Sequence, residues 1–171
     1  MTVNNGSTPA VRRIPAAVGH LETFIRLECL RYRVGRILTS VIRIRVYFMN
    51  DISGLAAIWI RFQRSPKGSV EYEELFWVVD RMMELCDSEP SAAWNVIQEA
   101  VALDQSDEIL GMVGAGPFED LMTNHGAFLI DKVESCARTN PAFRRMLGVV
   151  WKSTITDDVW IRLKALAPAS W

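Results

Sequence analysis

The stretch Met49–Ser69, MNDISGLAAIWIRFQRSPKGS, decides the reading of the chain. Leu55, Ile58, Trp59 and Phe62 fall at i, i+3, i+4 and i+7. That is the stripe of a helix with one buried face. Ser65-Pro66-Lys67-Gly68-Ser69 concentrates turn residues and ends it. Ser69 is then placed to cap the next helix, with Glu71, Glu73 and Glu74 where the helix dipole favours negative charge.

The same grammar runs downstream. A second helix carries Tyr72, Leu75, Phe76, Val79, Met82 and Met83 on one expected face. Asp87-Ser88-Glu89-Pro90 stops it, and Pro90 opens a third helix with Trp94, Ile97, Ala100 and Val101 inside. Ser106 caps a short fourth with Ile109, Leu110 and Val113. Gly114-Ala115-Gly116-Pro117 breaks the chain, and Phe118, Leu121 and Met122 stripe a fifth helix ending near His125-Gly126. Leu129, Val133, Cys136 and Ala137 belong to a sixth. Asn140-Pro141 starts a seventh with Phe143, Met146, Leu147, Val150 and Trp151. Thr156 starts an eighth with Val159, Trp160, Leu163 and Leu166. No segment after Met49 alternates like a strand. The expectation is an all-α domain, a compact bundle or a short stack of antiparallel helical hairpins of HEAT-like kind.

Upstream of this stretch the sequence changes character. Residues 1–48 hold eight basic residues, all Arg, against Glu22 and Glu28, a net +6. Residues 49–171 hold 11 basic and 18 acidic residues, a net −7, with all four Lys and all six Trp. The near-neutral total of −1 therefore averages two unlike segments. Val34 to Phe48 is the most apolar part of the first segment, but Arg36, Arg43 and Arg45 interrupt it and speak against a membrane span. We expect residues 1–48 to be an Arg-rich extension outside the fold, read from upstream of a true start at Met49. A basic arm and a targeting peptide are the alternatives. The domain is then residues 49–171, and its acidity argues against nucleic acid and acidic membranes as partners.

The chemistry-bearing residues are few. Gly114-Ala115-Gly116-Pro117 lacks the preceding strand and the following Lys-Ser/Thr of a phosphate loop. Glu119 and Asp120 would also repel an anion there, so it reads as a tight bend. Glu119, Asp120 and His125 form an acid and histidine grouping of the kind that serves metal binding or acid/base catalysis. On a continuous helix, however, the two acids lie about 120° and 140° from His125 around the axis. The bland expectation has the acids favouring a helix N-terminus and the histidine bonding the last carbonyls at its C-terminus. Cys86 and Cys136 sit on or beside apolar stripes and read as buried thiols; with Cys29 they form no C-x-x-C motif. Trp59, Trp77, Trp94, Trp151 and Trp160 are expected mostly in the core. Trp77 is the exception, about 100° off Phe76 and expected to be partly exposed at a partner surface.

Residues 51–168 resemble a family of small bacterial proteins of unknown function. The resemblance rests on Ala57-Ile58-Trp59-Ile60-Arg61-Phe62-Gln63, Pro66-Lys67-Gly68-Ser69, Leu75-Phe76-Trp77 and Ala93-Trp94. It continues through Gly114-Ala115-Gly116-Pro117-Phe118-Glu119-Asp120-Leu121-Met122 with His125-Gly126. It closes with Phe143-Arg144-Arg145-Met146-Leu147, Trp151 and Asp157-Asp158-Val159-Trp160. Phe118 and Met122 stand where the family usually has Leu. The resemblance implies a helical domain in a bacterial cytoplasm and no particular activity.

The expected function is a non-enzymatic protein-interaction module, with an antitoxin- or immunity-like role as one version. It calls for a protein partner and for no cofactor. Its candidate surface is Glu119, Asp120, His125 and Trp77. The alternative is a small-ligand or metal-dependent enzyme using Glu119, Asp120 and His125.

Overall fold

In the computed structural model, residues 51–167 are described, and every element among them is helical. The Arg-rich segment 1–48, with its start-site expectation, and Trp171 lie outside the described residues. The first helix, α1 (Ile52–Arg64), buries Leu55, Ala56, Ile58, Trp59 and Phe62, the expected stripe. It stops where Ser65 N–H donates to the Phe62 carbonyl at 3.1 Å and the Ser65 hydroxyl donates to the Arg61 carbonyl at 2.9 Å. The turn that follows closes from Ser69 N–H to the Pro66 carbonyl at 3.0 Å, with Gly68 at φ +79°. Glycine takes that left-handed conformation without steric cost.

Ser69 caps α2 (Val70–Leu75) by accepting from Tyr72 N–H at 3.1 Å. The expected long second helix is in fact two. The chain restarts at α3 (Trp77–Ser88), where Val79 N–H bonds the Phe76 carbonyl at 3.0 Å, a tightened turn. The restart changes which face is inside. Trp77, Val78, Met82, Leu85 and Cys86 face the core, while Phe76 and Met83 are 44% and 59% exposed. The expectation of an exposed Trp77 is therefore corrected: it is 8% exposed. Counting off Phe76 along one continuous helix put the buried arc on the wrong side.

Pro90 opens α4 (Pro90–Leu103) as expected, and Ser106 caps α5 (Asp107–Val113) by accepting from Ile109 N–H at 3.4 Å. A wide π turn, Gly114–Phe118, leads into α6 (Glu119–Thr139). Asn140 caps α7 (Pro141–Met146) by accepting from Phe143 N–H at 3.0 Å, and a 3₁₀ turn covers Leu147–Val149. The last helix is α8 (Asp157–Leu166). The expected fifth and sixth helices are joined as α6, but His125 leaves helical geometry inside it (φ −133°, ψ 18°), at the expected boundary.

α1 packs most extensively on α4, while α3 lies against both α4 and α6. α6 carries both α7 and α8, and α5 rests on α7. Trp94, Phe143 and Phe118 meet edge to face at the centre, with ring centroids 5.4 and 5.7 Å apart. Such pairs add about 0.5–1.5 kcal/mol each beyond area burial. Arg162 of α8 bonds Glu134 and Asp131 of α6 at 2.7 and 2.6 Å, clasping the last helix to the bundle. Trp151 departs from expectation. The seventh helix ends early, at Met146, and Trp151 stands 74% exposed on the loop before α8.

Candidate functional site

A cleft of about 280 Å³ opens between α3 and the segment that joins α5 to α6. Val79, Met82, Met83 and Cys86 of α3 form one wall. Met112, Ala115, Gly116, Pro117 and Asp120 form the other, and Trp59 and Gln63 of α1 complete the lining. The second wall exists because the chain cannot run straight there. Pro117 has no N–H to give to a helical ladder, and Gly116 leaves helical geometry at φ −123°, ψ −108°. One widened turn replaces the ladder, a feature that recurs at functional sites.

Two contacts hold this turn. Gly114 lies so close to the α7 region that an added Cβ would stand 2.9 Å from the Met146 carbonyl oxygen and 2.5 Å from Val149 Cγ2. On the other side, Cys86 Sγ donates to the Pro117 carbonyl at 3.3 Å, tying the two walls together. Burial, helped by the nearby Asp120 carboxylate, pushes the Cys86 thiol up to about 12. It is a protonated hydrogen-bond donor at neutral pH and not a nucleophile. Burial likewise raises the Cys136 thiol, against a weaker opposing hydrogen bond from Gln98. Both cysteines are free, as the sequence suggested.

The acid and histidine grouping is not assembled into one site. Glu119 Oε2 accepts from Trp151 N–H at 3.3 Å and so braces the loop before α8. Asp120 turns to the cleft. His125 Nε2–H donates to the Asp87 carbonyl at 2.7 Å. The histidine does bond a carbonyl near a helix C-terminus, as the bland reading expected, but that helix is α3 and not its own. The kink at His125 allows this reach, since it frees the ring from the register of α6. Gly126, next in the chain, lets α8 approach: an added Cβ would lie 2.9 Å from Val159 Cγ1. Among the described residues, no three His, Cys, Asp or Glu side chains are grouped to hold a metal ion.

Met112 and the exposed Met83 line the cleft and are not among the candidate residues the sequence offers. The sequence pattern places Met83 on the core face of a single long helix. Met112 carried a legible signal, because it lies off the Ile109, Leu110, Val113 stripe of α5 and is 48% exposed. An apolar side chain on the wet side of a short helix is a departure from amphipathic patterning.

Comparison with known proteins adds a family. Residues 65–170 match the Family of unknown function (DUF6869). The chain belongs to that family. The DUF6869 match takes in the Pro66–Ser69 turn, both walls of the cleft and the α8 clasp, and begins just after α1. The Ala57–Gln63 stretch that helped carry the resemblance therefore lies outside the matched range, although α1 packs into the same core. No curated protein and no solved structure matches the chain. Among the described residues no helix is long and apolar enough to cross a membrane.

Proposed function

We propose that this DUF6869 protein is a non-enzymatic protein-interaction module, and that the cleft beside the π turn is where it engages its partner. The observation that carries the reading is the methionine-lined opening itself. Met83 and Met112 line it from α3 and α5 while remaining 59% and 48% exposed. Methionine is flexible and polarizable, so a surface built from it adapts to an incoming apolar side chain. Phe76, 44% exposed, extends the same apolar face of α3 by two turns from Met83.

The chemistry of the lining supports binding over catalysis. Its thiol is a neutral donor tied to a backbone carbonyl, and its one carboxylate, Asp120, has neither Glu119 nor His125 beside it as a shared acid/base pair. A neutralising role of antitoxin or immunity type in a bacterial cytoplasm fits the net −7 of residues 49–171. Of the candidate surface residues, Asp120 contacts the partner, whereas Glu119 braces the loop before α8 and His125 ties the end of α3 to α6.

A photo-crosslinking amino acid placed at Met112 tests the proposal in the native host, with Ile161, 68% exposed on α8, as the control position. A discrete protein adduct at 112 and none at 161 is expected. No protein adduct at 112, or the same adducts from both positions, would overturn the reading.

A further inference from the structure

We infer that the partner of this cleft is an amphipathic helix with a large apolar anchor and flanking Lys or Arg residues. The inference rests on the protein-interaction reading above and adds the chemistry of the partner. Its basis is the order of side chains around α3. At about 100° per residue, Cys86, Val79 and Met83 occupy one arc of roughly 60°. Asp87, Asp80 and Glu84 occupy the adjoining exposed arc. Asp120 stands on the opposite wall. The apolar opening thus has carboxylates on both rims.

These rim charges are not already spent. Only Glu84 is already paired, since Arg81 bonds Glu84 and Glu89 at 3.0 and 3.1 Å. Asp80, Asp87 and Asp120 make no ion pair among the described residues. The Asp87 carboxylate accepts only from its neighbour Ser88 at 3.3 Å. The size of the cleft, about 280 Å³, admits one or two anchoring side chains rather than a cofactor. An apolar slot between two acidic rims fits a helix laid into a groove, with its anchors inward and its cations over the acids.

The test is selection from a displayed library of helical peptides, each about 16 residues or roughly 24 Å long, against the purified full chain. Apolar and charged positions are randomised independently. Enriched peptides are expected to combine an aromatic, Leu or Met anchor with flanking Lys or Arg. Their binding should fall at least about tenfold in a D80K/D87K/D120K variant, and weaken between about 0.05 M and 0.5 M salt. It should also be lost in Met112→Asp, a half-exposed site where folding is checked by circular dichroism. Met83→Gln is the second, milder variant.

Neutral or acidic peptides that enrich and are lost in Met112→Asp would overturn the partner chemistry while leaving the interaction reading standing. No enrichment above that obtained with Met112→Asp would overturn both.

Discussion

Replacing Gly114 with Ala is expected to destabilise the domain, whereas the same replacement three residues earlier, at Gly111, is expected to stabilise it. Both substitutions remove backbone freedom from the unfolded chain and remove a poor helix former, a gain of about 0.5–1 kcal/mol each. At Gly111 an added Cβ meets nothing within 4 Å, so the gain is net. At Gly114 it meets Val149 Cγ2 at 2.5 Å, the Met146 carbonyl oxygen at 2.9 Å and Met146 Cγ at 3.2 Å. The valine methyl can turn aside, but a backbone carbonyl at the end of α7 can move only by displacing the 3₁₀ turn after it. Overpacking of this kind costs about 1–3 kcal/mol, which leaves a net loss of about 0.5–2 kcal/mol. For a domain of this size each kcal/mol shifts Tm by roughly 3–6 °C. Urea and thermal unfolding of the full chain, followed by far-UV circular dichroism, measures both variants against the parent. A Gly114→Ala protein as stable as Gly111→Ala would refute the close approach of the π turn to α7, and with it the reason the cleft wall stands where it does.

Other outcomes follow from single side chains. Cys86 should resist alkylation at pH 8 in the native chain, read by peptide mass spectrometry, and react only at the rate of unfolding. Rapid labelling would contradict a buried thiol held at about 12. Asp104 is raised by burial but lowered further by the Ser106 N–H and hydroxyl and by Arg64, and ends below the usual carboxylate range. Its contribution is present above the ordinary carboxylate pKa and lost as pH falls through the depressed value. Asp104→Ala should therefore cost about 0.5–2 kcal/mol at pH 7, with the difference from the parent beginning to shrink as pH falls below about 4 and disappearing only once it passes the depressed value. A pH-independent difference in urea midpoints would contradict this. Trp151→Ala should change stability by less than about 0.5 kcal/mol, while Trp94→Ala should cost about 3–5 kcal/mol. Equal losses in denaturant titrations would mean that Trp151 is not the exposed residue it is in the structure.

The helical class was legible because caps and stripes agree at most elements. Ser69, Pro90, Ser106 and Asn140 each begin a helix where the sequence places one. The errors arose where a local rule met a change of register. Nothing in Leu75-Phe76-Trp77 contains Gly or Pro, so the restart at Trp77 left no composition signal, and the faces of Phe76 and Trp77 came out reversed. Trp151 was drawn inward by extending the Phe143, Met146, Leu147 stripe past a helix that closes at Met146. The site was half legible. Gly116-Pro117 announced a break, and Asp120 was singled out, but the opposite wall comes from α3, some 30 residues away in sequence. That pairing is set by tertiary packing of α3 on α6, which no local pattern encodes. His125 shows the same limit, since its partner Asp87 is 38 residues away.

The most direct test is a methyl NMR titration of the full chain, labelled at methionine, with a basic amphipathic peptide taken from the display selection. Met82, Met83 and Met112 line the cleft, whereas Met122 and Met146 are buried elsewhere in the core at 1% and 0% exposure. A protein-interaction cleft requires the first three methyl signals to shift together and saturate while the other two hold still. Shifts centred on Met122 or Met146, or no shift at Met83 and Met112 at saturating peptide, would contradict it.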